Sequence, residues 1–322
     1  MTLNNQKKEI INLYLANPRG FCAGVDRAIK MVEKSIKLFG KPVYVRHEIV
    51  HNRQVVNRLK KLGAIFVDEL NEIPNNDHPV IFSAHGVPKS IPNEAKKKKL
   101  TFFDATCPLV SKIHREVEIF SEKNFEIILI GHRNHPEVVG TMGQIDNSKI
   151  YLVENAKDAE NVKVLDETHL AYVTQTTLSV DDTSEIIKIL KTRFPKINEP
   201  KKDDICYATT NRQDAIKKLA KVCDCIVIIG AYNSSNSLRL VEVAKKNGCK
   251  NSMLIETFKD FEWHSLEKIN KLGLSASASA PEELIYNFIE ELKKRFSVNI
   301  VEDKSIKENV IFNIPNYLKK VS

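Results

Sequence analysis

Short apolar runs rich in β-branched residues alternate along the chain with longer stretches whose apolar positions recur at helical spacing. This is the βα rhythm of a parallel sheet with helical crossovers. Three of the strand-to-helix joints carry a cysteine: INLYLANPRGFCAGVDRAIKMVEKSI (Cys22), LTFFDATCPLVSKIHREVEIF (Cys107) and DDICYATTNRQDAIKKLA (Cys206). Each is followed by a strand that ends in a polar loop: VYVRHEIVHNRQVVNRLKKLG (His51), IILIGHRNHPEVVG (His135) and IVIIGAYNSSNSLRLVEVAKKNG (Ser235). Those loop residues lie 29, 28 and 29 positions after their cysteines. A third strand, loop and helix closes each set: VIFSAHGVPKSIPNEAKKK (His85), AYVTQTTLSVDDTSEIIKIL (Thr176) and LGLSASASAPEELIYNFIEEL (Ser279).

What repeats is the order of chemistry, with little identity between copies. The pattern predicts an α/β fold of three similar modules with parallel sheets, 11–106, 107–203 and 204–296, followed by a weakly patterned C-terminal tail, 297–322. In parallel sheets the loops at the carboxyl ends of strands line the ligand crevice. Three such modules around a pseudo-threefold axis would bring one cysteine and two polar loops from each to a central site.

The cysteines gain meaning from this placement. Six of them in 322 residues, with no secretory leader at MTLNNQKKEI, do not describe a disulfide scaffold. One cysteine alone is more often a small buried hydrophobe. Three at equivalent joints, each near a helix start where free N–H groups and the helix dipole favour a thiolate, suit an iron–sulfur cluster or a zinc ion. A dithiol–disulfide pair needs only two of them and stays open as a further alternative. Three thiolates leave one metal position vacant for catalysis. Cys223, Cys225 and Cys249 flank strand and helix ends without such loops and read as packing residues.

His51, His85 and His135 stand in strand-end loops, and Ser234, Ser235, Asn236 and Ser279 stand just before helical runs. Serine and asparagine there are good N-caps, and the same helix starts expose N–H groups to a bound phosphate. Together they suit a small, doubly phosphorylated anion. The chain has no GxxxxGK[ST] and no GxGxxG, which argues against an NTPase or a nicotinamide enzyme. Glu137, in His135-Pro136-Glu137-Val138, is either a first-turn carboxylate favoured by the helix dipole or a proton donor, with Thr176 or Thr177 relaying.

Charge alters this picture little. The net +8, from 49 Lys+Arg against 41 Asp+Glu, includes runs such as Lys96 to Lys99 that read as a solvated helix face. No zinc-finger or RNP-like pattern points to nucleic acid. No run approaches the ~20 apolar residues of a membrane span, so a cytoplasmic protein is expected.

The strings ANPRGFCAGVDRAI, VRHEIVHN, FSAHGV, DATCPLV, GHRNHPEVVGTMGQ, TQTTLSVDDT, DDICYATTNRQ and NSSNS resemble those of the LytB-type 4-hydroxy-3-methylbut-2-enyl diphosphate reductases of the non-mevalonate isoprenoid pathway, from about Leu13 to Pro281. The resemblance implies a [4Fe–4S] cluster with three cysteine ligands, Cys22, Cys107 and Cys206, and a fourth iron open to the substrate hydroxyl. It implies substrate binding by His51, His85, His135, Ser234, Ser235, Asn236 and Ser279, mostly at the diphosphate, with Thr176 at the hydroxyl end and Glu137 supplying the proton. The implied reaction is the last step of that pathway, a two-electron reductive dehydroxylation of the allylic diphosphate to isopentenyl and dimethylallyl diphosphate, with ferredoxin or flavodoxin as electron donor. One departure stands out: Ser277-Ala278-Ser279 replaces the family's Gly-Ala-Ser before the final proline. If the glycine is needed for its backbone freedom, the loop carrying Ser279 would sit differently.

Overall fold

Apolar runs too short for helices and flanked by polar turns become strands buried on both faces, as in Glu126–Ile130, Leu170–Thr174 and Cys225–Ile229, where every residue is buried. The computed structural model describes residues 9–75, 77–303 and 306–319. The first elements are β1 (Ile10–Leu15), α1 (Ala23–Phe39), β2 (Val43–Arg46), α2 (Arg53–Leu62), β3 (Ala64–Val67), β4 (Val80–Phe82), α3 (Ser90–Lys97), β5 (Phe102–Asp104) and α4 (Pro108–Glu122). Next come β6 (Glu126–Ile130), α5 (Pro136–Met142), β7 (Ile150–Val153), α6 (Ala156–Asn161), β8 (Leu170–Thr174) and α7 (Val180–Arg193). The chain continues through α8 (Tyr207–Ala220), β9 (Cys225–Ile229), α9 (Ser235–Lys246), β10 (Ser252–Ile255), β11 (Lys271–Ala276), α10 (Glu282–Arg295), β12 (Ser297–Glu302) and α11 (Asn316–Lys319).

The fold is α/β with three parallel sheets, ordered β10-β9-β11-β1-β12, β3-β2-β4-β5 and β7-β6-β8. The chain divides into two compact units. The first is made of the described residues of Met1–Cys22 and Ala208–Asn309 and contains the five-stranded sheet. Leu13, Val227, Leu274 and Phe288 pack on one face of that sheet, and Ile226, Ile228, Leu240 and Val243 on the other. The second is made of the described residues of Ala23–Tyr207 and Val310–Ser322 and holds the other two sheets, each with its own apolar packing.

The pairing of β1 differs from the order in which the repeat runs. It opens the first expected segment, yet its hydrogen-bonded neighbours are β11 and β12, near the other end of the chain. The weakly patterned tail supplies β12, an edge strand whose residues are exposed or half-buried, beside β1 over six residues. An edge strand shows one face and one flank to water, so its apolar alternation is diluted.

Candidate active site

Each of three cysteines is followed directly by the first residue of a helix: Cys22 by Ala23 of α1, Cys107 by Pro108 of α4 and Cys206 by Tyr207 of α8. All three are partly exposed, whereas Cys223, Cys225 and Cys249 are buried, and no disulfide involves any of the six. Burial pushes the Cys223 and Cys225 thiols up to about 12, reinforced by neighbouring Cys249, which fits the packing role expected of them.

Within the unit of Ala23–Tyr207, the ends of β2, β4, β5, β6 and β8 gather seven of the expected residues. The Cys107 N–H donates to the Ala84 carbonyl over 2.9 Å, and the Ala84 N–H to the Ile49 carbonyl over 3.1 Å, which sets Cys107 beside the loops of His85 and His51. The His51 and His85 rings stack with centroids 4.2 Å apart, and the His135 ring stands edge-on to both at 5.9 Å. Helix α5 can approach this cluster because Gly140 faces the Gly86 backbone, where an added Cβ would come within 3.2 Å of the Gly86 carbonyl carbon. Gln144 then donates to the Val87 carbonyl over 2.9 Å, and the Lys89 N–H to the Gly143 carbonyl over 3.1 Å.

His135 is the N-cap of α5, its Nδ1 accepting the Glu137 N–H over 3.2 Å. A neutral ring held this way carries its proton on Nε2. Burial, and then the neighbouring imidazoles, drives His85 well below the ordinary histidine value. His135 is lowered to about 3, mainly by burial, then by His51 and His132. Glu48 accepts from His51 Nδ1 over 3.0 Å.

Glu137 is 3% exposed. Its Oε1 accepts the Thr176 N–H over 2.6 Å, and its Oε2 the Thr176 hydroxyl over 3.0 Å. Burial outweighs these two hydrogen bonds and, with a smaller push from Asp204, raises the carboxyl to about 7, so that it is half protonated near neutral pH. The Thr176 carbonyl in turn accepts the Cys206 N–H over 3.1 Å. An unbroken path of bonds and ring contacts therefore runs from Cys107 through the histidines, Glu137 and Thr176 to Cys206.

The unit of Ala208–Asn309 gathers the remaining residues. The Cys22 N–H donates to the Ala278 carbonyl over 3.2 Å, and Asn236 Oδ1 accepts the Ala278 N–H over 2.9 Å. Ser234 caps α9, its hydroxyl accepting from the Ser237 N–H over 3.3 Å, which makes Ser235 and Asn236 the first two residues of the helix. Asn236 is 4% exposed, and its Nδ2 is buried without a hydrogen-bond partner. A buried amide donor left unpaired is costly, and an anion at the helix start would satisfy it. Ser277 does not occupy the left-handed region, so serine takes the place of the expected glycine without strain. Its N–H donates to the Ile229 carbonyl over 2.9 Å, and its hydroxyl lies 3.4 Å from that of Ser279.

Two residues of this architecture escaped the sequence reading. Gln175, inside the TQTT string, accepts the His132 N–H over 3.0 Å and donates to Thr177 over 2.9 Å, joining two site loops. Asp204, in the string DDIC, accepts the Thr174 N–H over 2.9 Å and pairs with Lys112 over 3.0 Å. Polar residues are common in loops, so only the burial of these two distinguishes them.

A parallel α/β framework whose strand-end loops carry cysteines, clustered imidazoles and a buried acid with a raised pKa has the make-up of an enzyme. The LytB protein family model matches residues 13–293, and the chain belongs to that family. A 4-hydroxy-3-methylbut-2-enyl diphosphate reductase of Hyphomonas neptunium is 54% identical over 97% of this chain and 98% of its own. The same-named protein of Cereibacter sphaeroides is 51% identical over 98% of both chains. Among solved structures, the E-1-hydroxy-2-methyl-but-2-enyl-4-diphosphate reductase of Plasmodium falciparum superposes with a TM-score of 0.89 at 39% identity, covering 97% of each chain. A structure described as the terminal enzyme of the non-mevalonate pathway gives a TM-score of 0.63 at 33% identity, covering 88% of this chain and 99% of its own.

Among the described residues, no helix is long and apolar enough to cross a membrane, and no group of three or more His, Cys, Asp and Glu side chains is gathered so as to hold a metal ion.

Proposed function

We propose that this chain reduces 4-hydroxy-3-methylbut-2-enyl diphosphate to isopentenyl and dimethylallyl diphosphate, with Cys22, Cys107 and Cys206 as ligands of a [4Fe–4S] cluster. The observation that carries the reading is the continuity of the path from Cys206 through Thr176 and Glu137 to the histidine cluster, in a chain about half identical to reductases of that name over nearly its whole length. The donor set suits the group: three soft sulfurs at helix starts, each on a loop held by the cysteine's own N–H group. Ligands of a cubane bind separate irons and stand farther apart than those of a single ion. The bound cluster would supply Lewis acidity and two electrons, delivered one at a time by a ferredoxin or flavodoxin in the cytoplasm.

The chain's own residues do the rest. Overall the reaction consumes two electrons and two protons; the hydroxyl leaves as water and the second proton ends on carbon. Glu137, half protonated near neutral pH, passes its proton through the Thr176 hydroxyl to the leaving oxygen. His51, His85 and His135 receive the diphosphate at one set of loops, and Ser234, Ser235, Asn236 and Ser279 offer neutral donors at another. Anchoring the diphosphate fixes the hydroxyl end in orientation, the entropic part of catalysis.

The test is an anaerobic, reconstituted preparation given the allylic diphosphate and a reduced viologen. Viologen should be oxidised as the two diphosphate products appear. Cys→Ser at any of the three ligands should remove the brown chromophore or make it labile, while Cys223→Ser should leave the spectrum unaltered. A spectral change in Cys223→Ser, or an intact chromophore in Cys22→Ser, would overturn the ligand assignment.

A further inference from the structure

Each of the three helices that begin after a cysteine carries a cation in its second turn. Arg27 lies five residues after Cys22, Lys112 five after Cys107, and Arg212 six after Cys206. None of them serves the cysteine on its own helix. Arg27 Nη1 donates to the carbonyls of Ala105 (3.3 Å) and Thr106 (3.1 Å), the two residues before Cys107. Lys112 donates to the carbonyl of Lys202 (2.8 Å) and the carboxylate of Asp204 (3.0 Å), four and two residues before Cys206. Arg212 donates to the carbonyls of Gly20 (2.7 and 3.2 Å) and Phe21 (3.5 Å), the two residues before Cys22. The order is cyclic, the first helix serving the second cysteine, the second the third and the third the first.

We propose that Arg27, Lys112 and Arg212 are positioning residues that pre-set the three cysteines, each cation coupling one cysteine-bearing helix to the segment that presents the next cysteine. The inference rests on the reading of these cysteines as ligands. Its physical basis is that a ligand on a flexible loop must be ordered when the metal group binds, so a loop already ordered binds it better. The cations hold peptides that are also held from the other side. At Cys107 the peptide from Thr106 has its carbonyl on Arg27 and its N–H on the Ala84 carbonyl (2.9 Å), which fixes the direction in which the cysteine side chain leaves. At Cys22 the Gly20 and Phe21 carbonyls lie on Arg212, while the N–H groups of Gly20 and Cys22 go to the carbonyls of Ala276 (3.0 Å) and Ala278 (3.2 Å). At Cys206 the N–H goes to Thr176, and Asp204 bridges Lys112 to the Thr174 N–H.

Charge is matched where burial demands it. The Arg212 side chain is 0% exposed and pairs with both oxygens of Glu308 (3.0 and 3.3 Å), and the Asp204 side chain, also 0% exposed, pairs with Lys112. Glu308 also accepts from Asn211 (3.0 Å), and the nearby Ile306 carbonyl accepts from Asn17 (3.0 Å). The C-terminal segment thereby takes a part in holding the Cys22 loop. A buried ion pair is a poor source of net stability but a good source of fixed geometry.

The experiment uses the reconstituted full chain, exposed to a chelator and iodoacetamide together. Alkylation of each cysteine is followed by mass spectrometry alongside loss of the visible chromophore. Arg27→Met should raise the labelling rate most at Cys107, Lys112→Met most at Cys206 and Arg212→Met most at Cys22, each by several-fold over the parent protein and with faster bleaching. Arg27→Lys should fall between parent and Arg27→Met. Should Arg212→Met not fold, the two half-buried cations, Arg27 and Lys112, carry the test. The proposal is overturned if the largest gain falls on the cysteine of the altered helix, if all three gain equally, or if none gains. The ligand reading fails separately, if in the parent protein labelling of the three cysteines is as fast with the cluster intact as after it is lost.

Discussion

In the unit of Ala23–Tyr207 the polar side chains at the strand ends are titratable, three imidazoles and a buried carboxyl, and burial holds His85, His135 and Glu137 in their neutral or half-neutral forms. In the unit of Ala208–Asn309 the corresponding residues are Ser234, Ser235, Asn236 and Ser279, which do not change charge with pH. Both sets suit a phosphorylated ligand, by different physics. Neutral donors would hold an anion equally well at any ordinary pH. An anion bound beside His85 and His135 would offset the burial that keeps them neutral and so favour their protonation. On the proposed reading, one set would contribute orientation and the other would link binding and chemistry to protons.

The largest expected effect separates proton delivery from binding. Glu137→Gln keeps the shape of the side chain and an acceptor for Thr176 but removes the acid. Turnover should fall by about 10²–10⁴-fold, with KM and cluster content close to those of the parent. Loss of folded protein instead, seen in the thermal transition, would make Glu137 a structural residue.

A smaller effect tests the two sets against each other. Asn236→Ala removes one buried donor to an anion and should raise KM about 10- to 100-fold by the same factor at pH 6 and pH 8. His135→Asn preserves the cap of α5, since asparagine is among the best N-caps. Its KM penalty should be larger at pH 6 than at pH 8, because the lost group is one whose protonation a bound anion would favour. Calorimetry in buffers of different ionisation heat should show proton uptake on binding in the parent and less in His135→Asn. Equal pH dependence in the two variants would abolish the distinction.

Much of this was legible in the chain. A strand–turn–helix joint is local, so the positions of Cys22, Cys107 and Cys206 directly before α1, α4 and α8 could be read from the sequence, as could the cap at Ser234. Pairing between distant strands is not local. Nothing in Ile10–Leu15 announces that its partners are Lys271–Ala276 and Ser297–Glu302, since an apolar strand fits several neighbours equally. The contacts of Arg27, Lys112 and Arg212 span 78 to 192 positions, and an Arg or Lys in the second turn of a helix looks like any solvated charge until its carbonyl partners are seen. Ser277 shows the opposite limit: a family glycine suggested a need for backbone freedom, and the backbone there needs none.

The smallest effect is on stability, and its pH dependence distinguishes the two units again. Glu137 has a folded-state value of about 7 against an ordinary 4.5, so between those values the folded chain holds more protons than the unfolded one. Its contribution to stability therefore falls as pH rises from about 4.5 to about 7, and is flat above. His135, at about 3 against 6.5, holds fewer protons when folded, so its contribution rises with pH from about 3 to about 6.5. The two oppose each other between 4.5 and 6.5, and only a variant separates them. Glu137→Gln should gain on the parent in unfolding free energy, measured by urea titration, as pH rises from about 4.5 to 7, by about 1–3 kcal/mol in all, and gain nothing further to pH 9. Asn236→Ala has no titrating group to lose, so its difference from the parent should be constant over that range. A flat difference for Glu137→Gln would mean that its carboxyl is charged when folded, and that the proton for the leaving oxygen comes from elsewhere.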